Sequence, residues 1–545
     1  MGRHLTPICL SFSHLFIFFA VTESEAPVVH TELGSLRGEL LPIKGTENQV
    51  HAFLGVPFAK PPLGPALRLS APQPVEGWEG VRDATKQPPK CVQQRVSAAA
   101  MEKDLGLQVE MPEVSEDCLY LNIYTPANRT EDSKLPVMVW IHGGAFVIGS
   151  ASMYDGSALA AYENVVVVII QYRLGLLGYL STGDEHMAGN WGMLDQVQAL
   201  KWVQEHIHNF GGDSDSVTVF GESAGGVSIS LLLLSPLTEG LFQKAVAMSG
   251  AATMAGLVQE NFLAMTQRAA NMSGCSLEST EKIANCMKNL DMETIDILVK
   301  DQALRFPAVI DGHLLTKPVV QLLKNGEFHK VPLITGVNSD EGGYQLIRHF
   351  VPPGWTAGLE REQISNLLFQ LLHDVRMTAL VVEEYNVTVN DPVKNRDAYT
   401  RLIGDIFVKL PVILVAKSHR DAGTPVYLYE FRYIPSHMKS RRPSFVGSDH
   451  GDGVFSVLGL CFTQSHVKLS DPCLTEEEQV GRTMMSYLAN FARTGSPNGK
   501  GLVHWPKYEK EEAYLAIGVE QMVGLQYEKE LFTFVTEILQ RTKAP

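Results

Sequence analysis

Short apolar runs bounded by turn residues recur through the first half of the chain. Three of them, Val137–Ile141, Val165–Tyr172 and Val217–Phe220, are rich in β-branched residues and have the length of buried strands. Between the second and the third, apolar residues in Leu194–His206 recur at three- and four-residue spacing after Gly192, which is typical of a helix. This alternation of strands and helices predicts a mostly parallel central sheet flanked by helices.

The pattern continues further along the chain. The later predicted elements are a helix, Ala224–Leu234, and three strands, Lys244–Met248, Val331–Val337 and Val426–Phe431. The segments at about 251–330 and 345–420 are more helical and less regular, which predicts helical cap insertions over the functional edge of the sheet. Since no internal repeat or low-complexity tract interrupts the chain, we expect one large globular unit.

The N-terminus has the profile of a signal peptide. Arg3 precedes an apolar stretch over 8–21, which is shorter than the roughly 20 residues that span a bilayer. We therefore predict a signal peptide over 1–22, cleaved between residues 20 and 26, followed by one large domain over 23–545. No later segment is long and apolar enough to predict a stable membrane span.

Composition narrows the choice of partners. The formal net charge is −15, the sequence pI is near 5.6, and no Lys/Arg-rich run is present. Nucleic acid is therefore not expected as a partner, because binding to phosphates requires clustered positive charge. No pair of cysteines has the C-x-x-C spacing of a zinc site, and we expect no metal and no cofactor.

Cysteines and glycosylation sequons both indicate an oxidising compartment. With Cys9 inside the predicted leader, the remaining cysteines are even in number, which favours disulfides, although counting does not give their pairing. Three N-x-S/T sequons, at Asn128, Asn271 and Asn386, are expected to carry glycans on surface loops.

The sequence 221–226, Gly-Glu-Ser-Ala-Gly-Gly, lies directly between a predicted strand and a predicted helix. A G-x-S-x-G motif in this context presents a nucleophilic serine, here Ser223, on a sharp turn that requires very small neighbours. The turn also places Ser223 at a helix N-terminus, where unpaired N–H groups favour developing negative charge.

A second glycine-containing turn, His142-Gly143-Gly144-Ala145-Phe146, follows the strand Val137–Ile141. It resembles the H-G-G-G loop of lipases and esterases, in which backbone N–H groups bind the oxyanion of a tetrahedral intermediate. The third glycine of that loop is Ala145 here. The predicted oxyanion hole consists of the N–H groups of Gly144, Ala145 and Ala224.

A serine hydroxyl needs a neutral imidazole to accept its proton and a carboxylate to orient that imidazole. Asp340 and Glu341 follow the strand Val331–Val337, and their positions alone do not choose between them. Several histidines follow Asp340 and Glu341 in the chain. Among them, His450 lies in the glycine-rich stretch 447–453, which is suited to bringing a side chain to a distant turn.

These residues resemble the type-B carboxylesterase and cholinesterase family of the α/β-hydrolase superfold, and the likeness covers most of the chain. Its signatures are matched by Phe53–Ala59, Glu116–Asn122, Tyr172–Gly175, Gly189–Gln196, Phe210–Asp213 and Gly221–Gly226. Asp449-His450-Gly451-Asp452 is similar to the corresponding stretch of mammalian liver and intestinal carboxylesterases.

The resemblance implies an α/β-hydrolase fold and a serine carboxylesterase that cleaves small-molecule carboxylic esters. It implies the catalytic triad Ser223, Glu341 and His450, and it favours Glu341 over Asp340. It also implies the disulfides Cys91–Cys118 and Cys275–Cys286, and leaves Cys461 and Cys473 either as a third bridge or as buried thiols. The chain ends in Lys-Ala-Pro and not in the H-x-E-L retention signal of many relatives, so secretion is expected, with the endoplasmic reticulum lumen as the alternative.

Two other functions compete with a broad-specificity carboxylesterase. One is a bile-salt-type lipase or cholesteryl esterase, which differs in lid and acyl pocket and not in its triad. The other is a non-catalytic adhesion protein of the same fold, which the presence of every catalytic group argues against. The cholinesterases of the resembled family hold a quaternary ammonium in an aromatic cage with a tryptophan between the first two cysteines. No tryptophan lies between Cys91 and Cys118, so choline esters are not expected as substrates.

Overall fold

The fold is built on one large mixed β-sheet. The computed structural model describes residues 26–94, 103–130, 132–259 and 263–542. Within these residues the sheet has eleven strands, which we number in chain order: β1 Glu39–Pro42, β2 Gln49–Pro57, β3 Tyr120–Pro126, β4 Leu135–Ile141, β5 Val166–Ile170, β6 Gly212–Glu222, β7 Lys244–Met248, β8 Leu333–Asn338, β9 Val426–Phe431, β10 Tyr514–Ile517 and β11 Gln521–Gly524. Their order across the sheet is β11-β10-β9-β8-β7-β6-β4-β5-β3-β2-β1.

The centre of the sheet is parallel and its two edges are antiparallel. Strands β5, β4, β6, β7, β8, β9 and β10 pair in parallel along that order. Strands β1, β2 and β3 continue from β5 in antiparallel fashion, and β11 folds back on β10. The predicted mostly parallel sheet is confirmed. The antiparallel edges were not predicted, because none of β1, β2, β3, β10 and β11 was recognised as a strand from the sequence.

The strands at the centre are apolar on both faces because both faces are covered. Successive residues of β4 point to opposite sides, so Val137, Val139 and Ile141 enter one core while Met138 and Trp140 enter the other. All five are fully buried. A strand buried on both faces is a continuous apolar run, which is why these strands were recognisable from the sequence.

The helices of the described residues cover both faces of the sheet and fill the long connections. In chain order they are α1 Gly64–Leu67, α2 Ser157–Glu163, α3 Gly175–Tyr179, α4 Trp191–His206, α5 Ala224–Leu234, α6 Leu263–Met272, α7 Thr280–Lys288, α8 Met292–Lys300, α9 Val319–Asn325, α10 Arg361–Leu372, α11 Val375–Glu384, α12 Pro392–Gly404, α13 Leu410–Asp421, α14 Ser436–Lys439, α15 Asp452–Val457, α16 Thr475–Thr494 and α17 Lys529–Thr542. Helix α5 has the predicted bounds, and all of its residues are buried.

The two segments predicted to be helical insertions contain α6 to α9 and α10 to α13. Helices α10, α11 and α12 surround a separate apolar cluster that includes Ile364, Leu368, Val381 and Leu402. Helix α13, at the end of the second segment, instead packs against β8 and β9. This helix therefore belongs to the layer that covers the sheet.

Three disulfides join the six cysteines of the described residues: Cys91–Cys118, Cys275–Cys286 and Cys461–Cys473. The third bridge accounts for the two cysteines that the sequence left unassigned. A two-stranded antiparallel ladder, Leu107–Val109 with Val467–Leu469, connects the loop closed by the first bridge to the loop closed by the third. The predicted leader, 1–22, lies outside the described residues, and no helix within them is long and apolar enough to cross a membrane.

Replacing both Cys461 and Cys473 with serine is expected to lower the free energy of unfolding by about 3 kcal/mol, because the bridge closes a loop and restricts the unfolded chain. The sequence separation of the pair is 12 residues. The denaturation midpoint in guanidinium chloride measures the effect against the parent chain. An unchanged midpoint, or two alkylatable thiols at these positions in the parent, would contradict the third bridge.

Candidate active site

Ser223 lies on a strained turn between β6 and α5. Its φ of 57° and ψ of −124° fall outside the regions that residues with a side chain usually adopt. The strain is held by the backbone: the Ser223 N–H donates to the carbonyl of Met248 at 2.9 Å, and the Ser223 carbonyl accepts from the N–H of Val227 at 2.9 Å. The turn directs the serine side chain away from the sheet at the carboxyl end of β6.

The glycines around this serine are required by close packing. A Cβ atom at Gly221 or Gly225 would collide with the carbonyl oxygen of Ile141, and one at Gly250 would collide with the carbonyl of Ser223. Strand β4 and helix α5 therefore approach each other closely beneath Ser223. The sequence motif reflects this approach of two backbones.

The structure brings together the three predicted triad residues. His450 Nε2 lies 2.8 Å from Ser223 Oγ, and His450 Nδ1 lies 2.7 Å from Glu341 Oε2. Ser223 follows β6, Glu341 follows β8, and His450 lies on the long connection after β9. The carboxyl ends of parallel strands meet at one edge of a sheet, which explains how residues so far apart in sequence converge.

Glu341 is held by further hydrogen bonds on the oxygen that does not face His450. Its Oε1 accepts from the Ser249 hydroxyl at 2.5 Å and from the Asn338 N–H at 2.6 Å. The side chain of Glu341 is fully buried. These two donors leave Oε2 as the oxygen that accepts from His450 Nδ1, so the carboxylate has one orientation.

The loop of residues 142–149 lies beside Ser223 and has a left-handed backbone. Gly144, Ala145 and Phe146 have φ values of 107°, 53° and 61°. Successive residues of this kind turn their N–H groups toward a common concave surface that suits an anion. Among the described residues, the N–H groups of Gly144, Ala145 and Ala224 donate to no protein acceptor.

Several carboxylates act on the imidazole of His450. Burial opposes its positive charge, but Glu222, Glu341 and Asp449 together outweigh burial and raise the pKa of His450 to about 9. Glu222 Oε1 lies 3.2 Å from His450 Nε2. Burial raises the pKa of Glu222 itself to about 7, with the charge of Glu341 adding to the effect. The site therefore favours a protonated imidazole, the species that forms when a serine transfers its proton.

The loops that carry Glu341 and His450 are bonded to each other. Asp340 Oδ2 accepts from the N–H of Gly447 at 2.7 Å. In return, Asp449 accepts from the N–H groups of Tyr344 at 3.1 Å and Gln345 at 2.9 Å. Asp340 thus bonds the backbone of the loop that carries His450 and joins the two loops. The structure separates the two acidic candidates that the sequence left open: Glu341 contacts His450.

A buried ion pair lies behind the histidine. Arg442 donates to both carboxylate oxygens of Asp452, at 2.9 and 2.6 Å, and Asp452 Oδ2 accepts from the N–H of Asp449 at 2.9 Å. Burial raises the pKa of Asp449 to about 7 and that of Asp452 to about 6. The Arg442 guanidinium also lies 3.7 Å from Asp449, so one positive charge faces both carboxylates. Its bond to the Gly447 carbonyl, at 2.9 Å, and the bond from Asp449 N–H to Asp452 hold the backbone that leads into His450.

Two other histidines that follow Glu341 in the chain, His419 and His437, lie in a different environment. His419 and His437 are buried, and desolvation lowers the pKa of each to about 4. They are neutral core residues. Among the described residues, no group of three or more His, Cys, Asp or Glu side chains is arranged to hold a metal ion.

Sequence reasoning missed the polar partners of the triad, chiefly Ser249, Glu222 and Arg442. Two of them carried a usable signal. Ser249 directly follows the parallel strand β7, and Glu222 lies inside the G-x-S-x-G motif. Arg442 offered none, because its contact with Asp452 depends on how the loop folds.

Comparison with known proteins agrees with this arrangement. The model of the family described as the carboxylesterase family matches residues 25–535. The chain belongs to the carboxylesterase family. Its similarity to "Liver carboxylesterase" of Sus scrofa is 42% identity over 561 residues, covering 99% of this chain and 98% of that protein. "Carboxylesterase 1C" of Rattus norvegicus is 44% identical over 524 residues, with 95% and 94% covered. "Liver carboxylesterase 1" of Oryctolagus cuniculus is 42% identical over 536 residues, with 94% of each chain covered.

Membership accounts for both the fold and the class of reaction. The carboxylesterase is an α/β-hydrolase and a carboxylic ester hydrolase, as its sequence predicted. The match covers the residues that carry the serine, the carboxylate and the imidazole. The geometry described above is therefore that of the candidate active site of a carboxylesterase.

Proposed function

We propose that Ser223 is the nucleophile of this carboxylesterase, with His450 as general base and Glu341 as the residue that orients it. The observation that carries the proposal is the continuous hydrogen-bonded chain from Ser223 Oγ through both ring nitrogens of His450 to Glu341. In the neutral imidazole, which is the species that acts as base, Nδ1 carries the proton and donates a hydrogen bond to Glu341, and the unprotonated Nε2 faces the hydroxyl.

In acylation, Ser223 Oγ forms a bond to the ester carbonyl carbon while its proton passes to His450 Nε2. The tetrahedral intermediate collapses when the bond to the alcohol oxygen breaks, and His450 returns the proton to that oxygen. Water then repeats the sequence on the acyl-enzyme, with His450 as base, and releases the carboxylic acid. The carboxylates that raise the pKa of His450 also stabilise the imidazolium that forms in both steps.

The negative oxygen of each intermediate is assigned to the N–H groups of Gly144, Ala145 and Ala224. Their lack of protein acceptors among the described residues leaves them free to bind it. Ala224 is also the first residue of α5, so the helix dipole adds to the positive potential there. Loss of one such donor typically lowers turnover by about 10²–10³.

Labelling with an organophosphate followed by peptide mapping tests the nucleophile. The reagent is expected to add one phosphyl group, on the peptide that contains Ser223, and to abolish ester cleavage in proportion to labelling. Denatured protein is the control for general reactivity of serines. A label found mainly on another serine, or full activity after stoichiometric labelling, would contradict the proposal.

Ester cleavage is expected to fall with decreasing pH, because the base must be neutral. The carboxylates around His450 raise its pKa, so the midpoint of kcat/KM should lie above the ordinary value of about 6.5. Glu222→Gln removes one of these charges and should move the midpoint to lower pH by roughly one unit.

The pH profile of kcat/KM from pH 5 to 10 measures this shift. Glu76→Gln provides the control, since Glu76 is a surface carboxylate with 78% of its side chain exposed. A profile that is flat between pH 5 and 8, or an upward shift in Glu222→Gln, would be inconsistent with these roles.

We propose a broad-specificity carboxylesterase, with a bile-salt-type lipase or cholesteryl esterase as the second candidate. The cap segments 251–330 and 345–420 bear on the choice. Gly342, directly after Glu341, packs so closely on Thr400 and Gly404 of α12, which belongs to the second segment, that no side chain would fit at 342. Helix α12 and the loop that carries Glu341 are thus packed directly against each other. Turnover of short-chain nitrophenyl esters in preference to long-chain triglycerides supports the carboxylesterase; the reverse preference supports the lipase. An adhesion protein would turn over neither.

We infer that the protein enters the secretory pathway and is secreted, with the endoplasmic reticulum lumen as the alternative. The three disulfides support an oxidising compartment, and Asn128, Asn271 and Asn386 are exposed, as glycan acceptors must be. Expression in cultured cells separates the two locations. Secreted protein collects in the medium with glycans resistant to endoglycosidase H, whereas lumenal protein stays in the cells with sensitive glycans.

A further inference from the structure

The side chain of Gln93 holds the backbone of Gly149, at the end of the 142–149 loop. Gln93 is 7% exposed. Its Nε2 donates to the Gly149 carbonyl at 2.8 Å, and its Oε1 accepts from the Gly149 N–H at 3.0 Å. The second N–H of the amide donates to the carbonyl of Cys91 at 3.0 Å. The amide thus bonds both polar groups of one residue, as a neighbouring strand would, and only one orientation of the amide satisfies all three bonds.

Gly149 is in direct contact with the start of the same loop. Its φ is 127°, and a Cβ atom there would collide with the His142 ring and lie against the carbonyl of Gly143. The loop is closed further by Gly144, whose carbonyl accepts from Val147 N and Ile148 N, both at 3.0 Å. A shift of Gly149 therefore displaces residues 142–144, and with them the N–H groups assigned to the oxyanion hole.

Gln93 is itself anchored to a cross-linked part of the chain. Cys91 is joined to Cys118 by a disulfide. A second glutamine, Gln171, is fully buried and donates to the carbonyl of Cys118 at 2.8 Å, while its Oε1 accepts from Ala151 N at 3.3 Å. The side chains of Gln93 and Gln171 thus connect Gly149 and Ala151 to the backbone carbonyls of the two cysteines in the first disulfide.

We propose that Gln93 is a positioning residue for the oxyanion hole: it does not touch the substrate but holds Gly149, and so the 142–149 loop, where the N–H groups of Gly144 and Ala145 meet the developing charge. This rests on the proposed function, in which those N–H groups bind the oxyanion. Stabilisation of that charge depends on donors that are fixed before the reaction, and a misplacement of about 1 Å can cost about 10²-fold in rate.

The variants Gln93→Met and Gln93→Glu test the role. Methionine keeps the length and removes all three bonds, whereas glutamate keeps the volume and the acceptor for the Gly149 N–H. The matched control is Gln204→Met, because Gln204 also bridges two backbone carbonyls, of Ser214 and Leu241, both at 2.9 Å, on β6 and on the segment after α5. Each variant is compared for kcat, KM and thermal midpoint, and for affinity toward a trifluoromethyl ketone and the matching methyl ketone.

A trifluoromethyl ketone forms a tetrahedral adduct with the nucleophile, and its oxyanion occupies the hole; the methyl ketone binds mainly as a ground state. We expect Gln93→Met to lower kcat and trifluoromethyl ketone affinity together by about 10- to 100-fold. KM and methyl ketone affinity should change by less than about 3-fold. Gln93→Glu turns a carboxylate oxygen, which cannot donate, toward the carbonyls of Gly149 and Cys91, so it should lower kcat and trifluoromethyl ketone affinity at least as much as Gln93→Met. Gln204→Met should leave all four unchanged.

Two results would overturn the proposal. If Gln93→Met lowers the thermal midpoint but leaves the ratio of the two ketone affinities at the parent value, Gln93 is a structural brace only. If the parent enzyme itself binds the trifluoromethyl ketone no more tightly than the methyl ketone, the oxyanion hole of the proposed function is wrong, and the role of Gln93 falls with it. The parent measurement thus distinguishes the two failures.

Discussion

Replacing Ser223 with alanine is expected to lower kcat for ester cleavage by about 10⁶-fold while leaving KM nearly unchanged. In the proposed mechanism the Ser223 hydroxyl oxygen bonds to the acyl carbon, and alanine removes that oxygen. The 142–149 loop and the helix N-terminus remain, so a small residual rate above that of uncatalysed hydrolysis should persist. Steady-state kinetics on a nitrophenyl ester, with the release of enzyme-bound acyl groups followed separately, measure the loss.

Ser228→Ala is the matched control, since Ser228 lies on the same helix, α5, and its hydroxyl accepts a hydrogen bond from Gln196 at 3.0 Å. This variant should retain turnover within about 3-fold. If Ser223→Ala kept parental turnover, the catalytic serine would have to lie elsewhere, and the strained geometry at 223 would lack a catalytic explanation.

Several of the strands and helices that were predicted from the sequence are buried on all sides, and complete burial favours a continuous run of apolar residues. Strand β4 is buried on both faces and α5 on every side, so both are recognisable as apolar runs with turn residues at their ends. The antiparallel edge strands β1 and β11 are partly exposed and short, and their patterns resemble those of ordinary loops. Each pairs with its neighbour in the chain, β1 with β2 and β11 with β10, but the partly exposed residues of these two strands give no apolar run that marks a strand.

For the active site, the predictable residues were those constrained by backbone geometry. Ser223 and Gly144 both have positive φ angles, in turns that accept few residue types, so the surrounding motifs can be recognised in the sequence. The choice between Asp340 and Glu341 depends on which carboxylate turns toward His450 and which bonds Gly447, and adjacent residues differ in this only after the loops fold. Gln93 is farther still from prediction, because glutamine is common and its proposed role depends on contacts with Gly149 and Cys91 that form only when the chain folds.

Replacing Glu341 with glutamine is expected to lower kcat by about 10⁴-fold, although the side chain keeps its size and most of its contacts. The reason lies in the two donors on Oε1. Ser249 and Asn338 both donate to that position, so the glutamine will place its carbonyl oxygen there and its NH₂ group where Oε2 now faces His450 Nδ1. An NH₂ group donates, and Nδ1 must then accept.

That exchange of donor and acceptor moves the ring proton of His450 to Nε2, which faces Ser223. The imidazole is then the wrong tautomer to receive the serine proton, and the carboxylate that stabilised the imidazolium is gone as well. Asp340→Asn is the matched control: its amide oxygen can still accept from Gly447, so turnover should fall by less than about 3-fold. Parallel measurement of kcat for the two variants decides the assignment, since a large loss in Asp340→Asn with little in Glu341→Gln would transfer the orienting role to Asp340. The geometry argues against that outcome, because the Asp340 carboxylate is bonded to the backbone of the histidine loop and Glu341 alone of the two is bonded to the ring.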